Sequence, residues 1–91
     1  MTAERRFEIP THVVARDVQG ELVVLDLEKG EYFGLEDVGA FIWGLLEAGE
    51  SLGEVHARIL AEYDVEADTA RRDLAALVAD LQARGLLRDR T

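Results

Sequence analysis

Gly20-Glu21-Leu22-Val23-Val24-Leu25-Asp26-Leu27-Glu28-Lys29-Gly30-Glu31-Tyr32-Phe33-Gly34-Leu35 is the stretch on which the fold turns. β-branched and aromatic residues crowd Glu21 to Leu27 and Glu31 to Leu35, which predicts two strands. Lys29-Gly30 between them offers a glycine where a tight hairpin needs positive φ. Upstream, His12 to Arg16 reads as a further strand, joined through Gln19-Gly20, so the three runs predict an antiparallel meander. Side chains alternate along a strand, so Tyr32 and Phe33 face opposite ways; Phe33 is expected inward with Leu35, and Tyr32 outward. Three strands alone are marginal, and this sheet must lie on something.

That support follows directly. After Leu35 the apolar period changes from two to about 3.6 residues. A first helix is predicted from Asp37 to Ala48, with Val38, Ile42, Leu45 and Leu46 on one stripe and Gly49 as its stop. A second opens at Ser51, with Glu54 three residues on as the other half of a capping box, and carries Leu52, Val55, Ile59 and Tyr63. The third and longest runs from Glu66 or Ala67 to Arg84, with Ala70, Leu74, Leu77, Val78 and Leu81 apolar and Gly85-Leu86 as a glycine C-cap. The fold class is α+β, a three-stranded antiparallel sheet followed by three helices.

At 91 residues the chain is expected to form a single domain over 1–91, with its ordered core at about 9–87. Met1 to Arg6 and Arg88 to Thr91 carry charge with little apolar support and read as loose ends. The hydrophobic content of 48% with one proline is that of a globular protein. No apolar run approaches the roughly 20 residues of a membrane span, and no secretory h-region is present, so a cytoplasmic protein without a membrane partner is expected. A net charge of −9 argues against nucleic acid, whose binding rests on Lys and Arg neutralising phosphates.

Catalytic chemistry is missing. There is no cysteine, which excludes thiolate metal sites and a cysteine nucleophile. His12 and His56 have no partner at metal-ligand spacing. The glycines form neither a phosphate loop nor a dinucleotide fingerprint. No catalytic residue, metal ligand or cofactor is expected, and the chain reads as a binding module.

The stretches Gly20 to Asp26, Lys29 to Leu35 and Val38-Gly39-Ala40-Phe41-Ile42-Trp43-Gly44-Leu45-Leu46 together resemble the PqqD-like family of leader-peptide-binding domains, the RiPP precursor recognition elements. Ala61-Glu62-Tyr63-Asp64-Val65 and the closing Asp73-Leu74 through Gly85-Leu86-Leu87 are similar to that family as well. Within it, Ile9-Pro10-x-His12-Val13 and Gly30-x-Tyr32-Phe33-x-Leu35 look most like the stand-alone recognition protein of lasso-peptide pathways in which the B function is split. The proline-bearing second hairpin of PqqD itself is not found.

The resemblance implies a winged-helix-like fold that takes the N-terminal leader of a ribosomally made precursor as an added strand, in a groove between the third strand and the third helix. It implies leaders with a Tyr-x-x-Pro-x-Leu pattern, a cysteine-protease-like leader peptidase as partner, and a cyclase in the same pathway. The third strand is also singled out by its own position, because an open sheet edge is a liability unless used.

Candidate leader-binding residues are therefore Glu31, Tyr32, Phe33 and Gly34 on that strand, and Arg71, Arg72, Ala75, Val78 and Gln82 on the third helix. Arg71, Ala75, Val78 and Gln82 recur at helical spacing and predict a wall in which small Ala75 leaves a pocket floored by Val78 and bounded by Tyr32. Plainer readings stand beside these. Tyr32 can be an ordinary strand aromatic, and Gly34 can mark a bulge. Arg71 and Arg72 can be an exposed pair balanced by Asp68 and Asp73. Trp43 either packs in the core or faces a partner. The competing functions are a PqqD-type chaperone for another modifying enzyme and a winged-helix DNA reader, the latter opposed by a single lysine and an acidic balance.

Overall fold

The computed structural model describes residues 2–90. Its elements in chain order are β1 (Phe7–Glu8), β2 (Val13–Val18), β3 (Glu21–Asp26), β4 (Glu31–Leu35), α1 (Asp37–Glu47), α2 (Leu52–Glu62), α3 (Ala67–Ala83) and β5 (Arg88–Asp89). β2, β3 and β4 form the antiparallel meander in that order, so β2 and β4 are its edges.

The two hairpins explain where the strands differ from expectation. Val18 pairs with Glu21, leaving a two-residue loop in which Gln19 and Gly20 both take positive φ, 53° and 88°. That geometry belongs to a type I′ turn, whose flanking residues pair directly, and it carries β2 on to Val18 rather than ending it at Arg16. At the other hairpin the Asp26 carboxylate accepts the amides of Glu28 and Lys29, each at 3.0 Å. These bonds bend the chain at once, so Leu27 opens the turn instead of closing β3.

Local signals also end the helices. Ser51 and Glu54 form the reciprocal capping box at α2. α1 and α3 stop in Schellman motifs: Glu50 N–H donates to Leu45 and Gly49 N–H to Leu46, and likewise Leu86 to Leu81 and Gly85 to Gln82. Gly49 and Gly85 hold φ of 86° and 77°, the left-handed cap that glycine takes without strain.

The core lies between the inner sheet face and the helices. Val13, Val24 and Leu35 meet Ile42, Trp43, Leu46, Leu52, Val55, Leu74, Val78 and Leu81 there, all buried. Trp43 is 1% exposed, which settles it as a core residue. On α3 the buried line is Ala70, Leu74, Val78 and Leu81, while Leu77 is only half-buried. The expected stripe through Leu77 is thus rotated: Val78 lies inside the core and is not a groove floor.

The terminal segments, read from composition as loose, pair with each other. Phe7 and Glu8 lie opposite Asp89 and Arg88. Phe7 is 1% exposed, Arg5 makes a forked contact to Asp89 at 2.9 and 3.0 Å, and the amides of Leu52 and Gly53 donate to the carbonyls of Arg5 and Ala3. One aromatic ring and a set of main-chain bonds supply the support that the charged sequence hides. The outermost residues of those loose ends, Met1 and Thr91, lie outside the described region.

Candidate functional site: the free edge of β4 and its groove

Which backbone groups of β4 are free follows from register. Leu27 N–H donates to His12 C=O, so the residues of β3 that bond β2 are Leu25, Val23 and Glu21. An antiparallel strand alternates its bonding sides, so Leu22, Val24 and Asp26 bond β4, through Leu35, Phe33 and Glu31. Tyr32 and Gly34 therefore direct their N–H and C=O outward. The edge offers two donor–acceptor pairs to an incoming strand.

Side chains divide by the same parity. Glu31, Phe33 and Leu35 share the inner face, and Tyr32, 76% exposed, stands outside. Phe33 is half-buried under the Arg84 guanidinium, 4.5 Å above the ring centre, and Arg84 in turn donates to Asp80. Gly34 is in extended pairing with Val23, not in a bulge. A Cβ there would come within 2.7 Å of Glu21 Oε2, the movable end of a side chain.

Past the C-terminal end of β4 lies an apolar cavity of about 260 Å³. Val38, Gly39 and Ile42 of α1, Ile59 and Tyr63 at the end of α2, Val65, and Ala70, Asp73, Leu74 and Leu77 of α3 line it. Asp73 and Leu77 at this end, and Arg84 over Phe33 at the other, lie on one helix face by their spacing of four and seven residues. That face defines the groove side of α3.

The candidates on α3 lie elsewhere. Ala75 is rotated by about 160° from Asp73 on the helix and is exposed. Gln82 donates to Asp89 of β5 at 3.1 Å, so this flank looks toward the terminal ribbon. Arg71 pairs with Asp68 at 2.8 Å, one helical turn away. Arg72 is exposed and off the groove face, and Val78 is buried. Thus the expected pocket of Ala75, Val78 and Tyr32 does not form; Arg84 is brought to β4, over Phe33, while Asp73 and Leu77 line the cavity among the helices. The half-burial of Leu77 beside a fully buried Leu74 is the difference of helix phase that sequence periodicity did not resolve.

Polar groups at the base of β4 are structural. The Lys29 amide, opposed by burial and helped by the Glu28 amide and by His12 and Lys29, holds the Asp26 carboxyl below its ordinary value. A depressed carboxylate stabilises the fold above its unfolded pKa, about 3.9 for aspartate, and that contribution disappears as pH falls through the lowered folded value. Asp26→Asn is accordingly expected to lower stability at pH 7 and to flatten its loss below about pH 4 in thermal melts. An unchanged acid limb would refute the assignment. His12 lies 3.9 Å from Asp26 and 3.7 Å from Glu28, and His56 contacts Ala67 C=O at 2.9 Å. Among the described residues no cluster of three or more His, Asp or Glu could hold a metal, and no helix is long and apolar enough to cross a membrane.

Comparison with known proteins gives the site a context. The family model described as coenzyme PQQ synthesis protein D (PqqD) matches residues 21–87. A solved structure of TbiB1 in complex with the TbiA(beta) leader peptide is 41% identical, covers 89% of this chain and 94% of that one, and superposes with a TM-score of 0.84. A lasso peptide synthetase B1 complexed with the leader peptide is 34% identical over 91% of this chain and 98% of that one, with a TM-score of 0.85. No curated protein matches the chain.

Proposed function

The chain belongs to the PqqD-like family of RiPP recognition elements, and from that premise we propose that it binds the leader of a ribosomally made precursor peptide as an added strand on β4. The bound leader is presented to a separate cysteine-protease-like peptidase in lasso-peptide biosynthesis, ahead of a cyclase. The observation that carries this reading is the free edge at Tyr32 and Gly34. Main-chain pairing supplies affinity, and a pocket for a side chain supplies specificity.

Direction follows from the groove. A leader antiparallel to β4 enters beside Leu35 and leaves beside Glu31. Its upstream residues reach the cavity of Val38 and Leu77, and its downstream end passes Phe33 and Arg84. The chain acts by holding and orienting the peptide, with bond cleavage left to the partner.

Titration calorimetry with leader and with leader-deleted precursor tests the function; equal affinity for the two would refute it. Leu77→Asp places a charge at the cavity wall and is expected to weaken leader binding by about tenfold or more, since a buried apolar side chain contributes roughly 1.5–3 kcal/mol. Ala75→Trp, on the far flank, should bind as wild type does. The opposite ranking of these variants would place the leader on the other side of α3.

A further inference from the structure

Register also fixes which leader side chain meets α3. Tyr32 and Gly34 turn their N–H and C=O to the incoming strand, so the leader residue opposite Phe33 stands in a non-hydrogen-bonded pair with it. Directly opposed residues put their side chains on the same face, and in such a pair they are closest, with Cβ atoms about 4.5–5.5 Å apart. That leader side chain therefore lies on the inner face, beside the Phe33 ring and the Arg84 guanidinium 4.5 Å above the ring centre. Asp80 accepts from Arg84 Nε at 3.2 Å, and with the ring it holds the head in place. The two terminal nitrogens of Arg84 make no hydrogen bond among the described residues, and its side chain is 52% exposed, so the open side of the fork is free for a ligand. Lys29 Nζ, 3.4 Å from Arg84 C=O, adds a second positive charge at the same corner and has no carboxylate partner among the described residues.

We propose that Arg84 selects an acidic leader residue, aspartate or glutamate, at the position opposite Phe33. The inference rests on the leader-binding reading above. A guanidinium fork takes a carboxylate through charge-assisted N–H···O bonds, whereas a side-chain amide offers one neutral acceptor. Glu31 narrows the position. It shares the inner face two residues along β4 and lines the same small hollow as Phe33 and Arg84, so a leader acid directly opposite it would meet a like charge. The selection also sets register. A slip of two residues keeps every leader side chain on its own face and leaves the main-chain bonds unchanged, so strand pairing alone does not forbid it. An acid held at Arg84 does, because the slip carries it away from the fork or onto Glu31.

Synthetic leaders of the precursor encoded beside the protein, carrying Glu, Gln or Lys at each position in turn, test this by titration calorimetry at low salt. The wild-type chain is expected to prefer Glu to Gln by about fivefold at one position, and the preference should fall as salt is raised. Arg84→Gln should abolish the preference while binding the Gln peptide within about twofold of wild type. Arg84→Glu should reverse it, so that the Lys peptide binds more tightly than the Glu peptide. Folding of both variants is checked by circular dichroism. A Glu preference that persists in both variants, or the lack of any such position in the wild-type chain, overturns the assignment and leaves leader binding intact. Equal weakening of all three peptides by Arg84→Gln would make Arg84 a packing residue of the groove and overturn the assignment as well. Failure of the wild-type chain to bind even the natural leader overturns both readings.

Discussion

Gly34→Pro is expected to reduce leader affinity by about 10- to 100-fold while leaving the fold in place. The register makes the argument. Gly34 sends its N–H outward, so proline removes no bond between β3 and β4. Proline is tolerated on an edge strand in that orientation. The incoming strand, however, loses a donor, keeps an unsatisfied carbonyl, and meets the ring where the amide stood. Gly34→Ala is the matching control: its Cβ has only to displace the Glu21 carboxylate, and the N–H is kept. Affinity should stay near wild type. Wild-type affinity for the proline variant, with the fold verified by circular dichroism, would show that the leader does not pair at Gly34.

The largest effect on stability is expected at Phe7, in a segment that composition reads as disposable. Phe7→Ala should cost about 3–5 kcal/mol, the usual consequence of emptying a fully buried phenylalanine site. Against a total of roughly 5–15 kcal/mol for a domain, that is enough to lower the denaturation midpoint strongly in urea. Nearby Glu8 and Arg88 form an exposed pair at 2.7 Å, and alanine at either should cost less than about 1 kcal/mol. A Phe7→Ala midpoint as close to wild type as those controls would mean that the terminal ribbon contributes nothing to the fold.

The two predictions mark different relations between sequence and structure. β4 was legible because its signals are local: alternation assigns Phe33 and Tyr32 to opposite faces, and Gly30 marks the turn that opens the strand. The Phe7 ribbon was not legible, since its partner is Arg88–Asp89 at the other end of the chain, and no local pattern announces a pairing across that separation. Leu77 shows the intermediate case. Its helix was evident, but several apolar residues fit the 3.6 period about equally well, and a small rotation decides which of Leu77 and Val78 is buried.

By itself the sequence determined the meander, the three helices, the capping box at Ser51, the glycine stops and the third strand as an open edge, because each rests on patterns within a few residues; which of Glu31, Tyr32, Phe33 and Gly34 turn their backbone groups outward came from the register. Tertiary structure alone decided that Arg84 lies over Phe33, that Asp73 and Leu77 line the cavity among the helices, and that Arg71, Ala75 and Gln82 lie on the other flank of α3. These depend on how whole elements rotate and dock to bury the most apolar surface, a choice made by all of them together and written in no single segment.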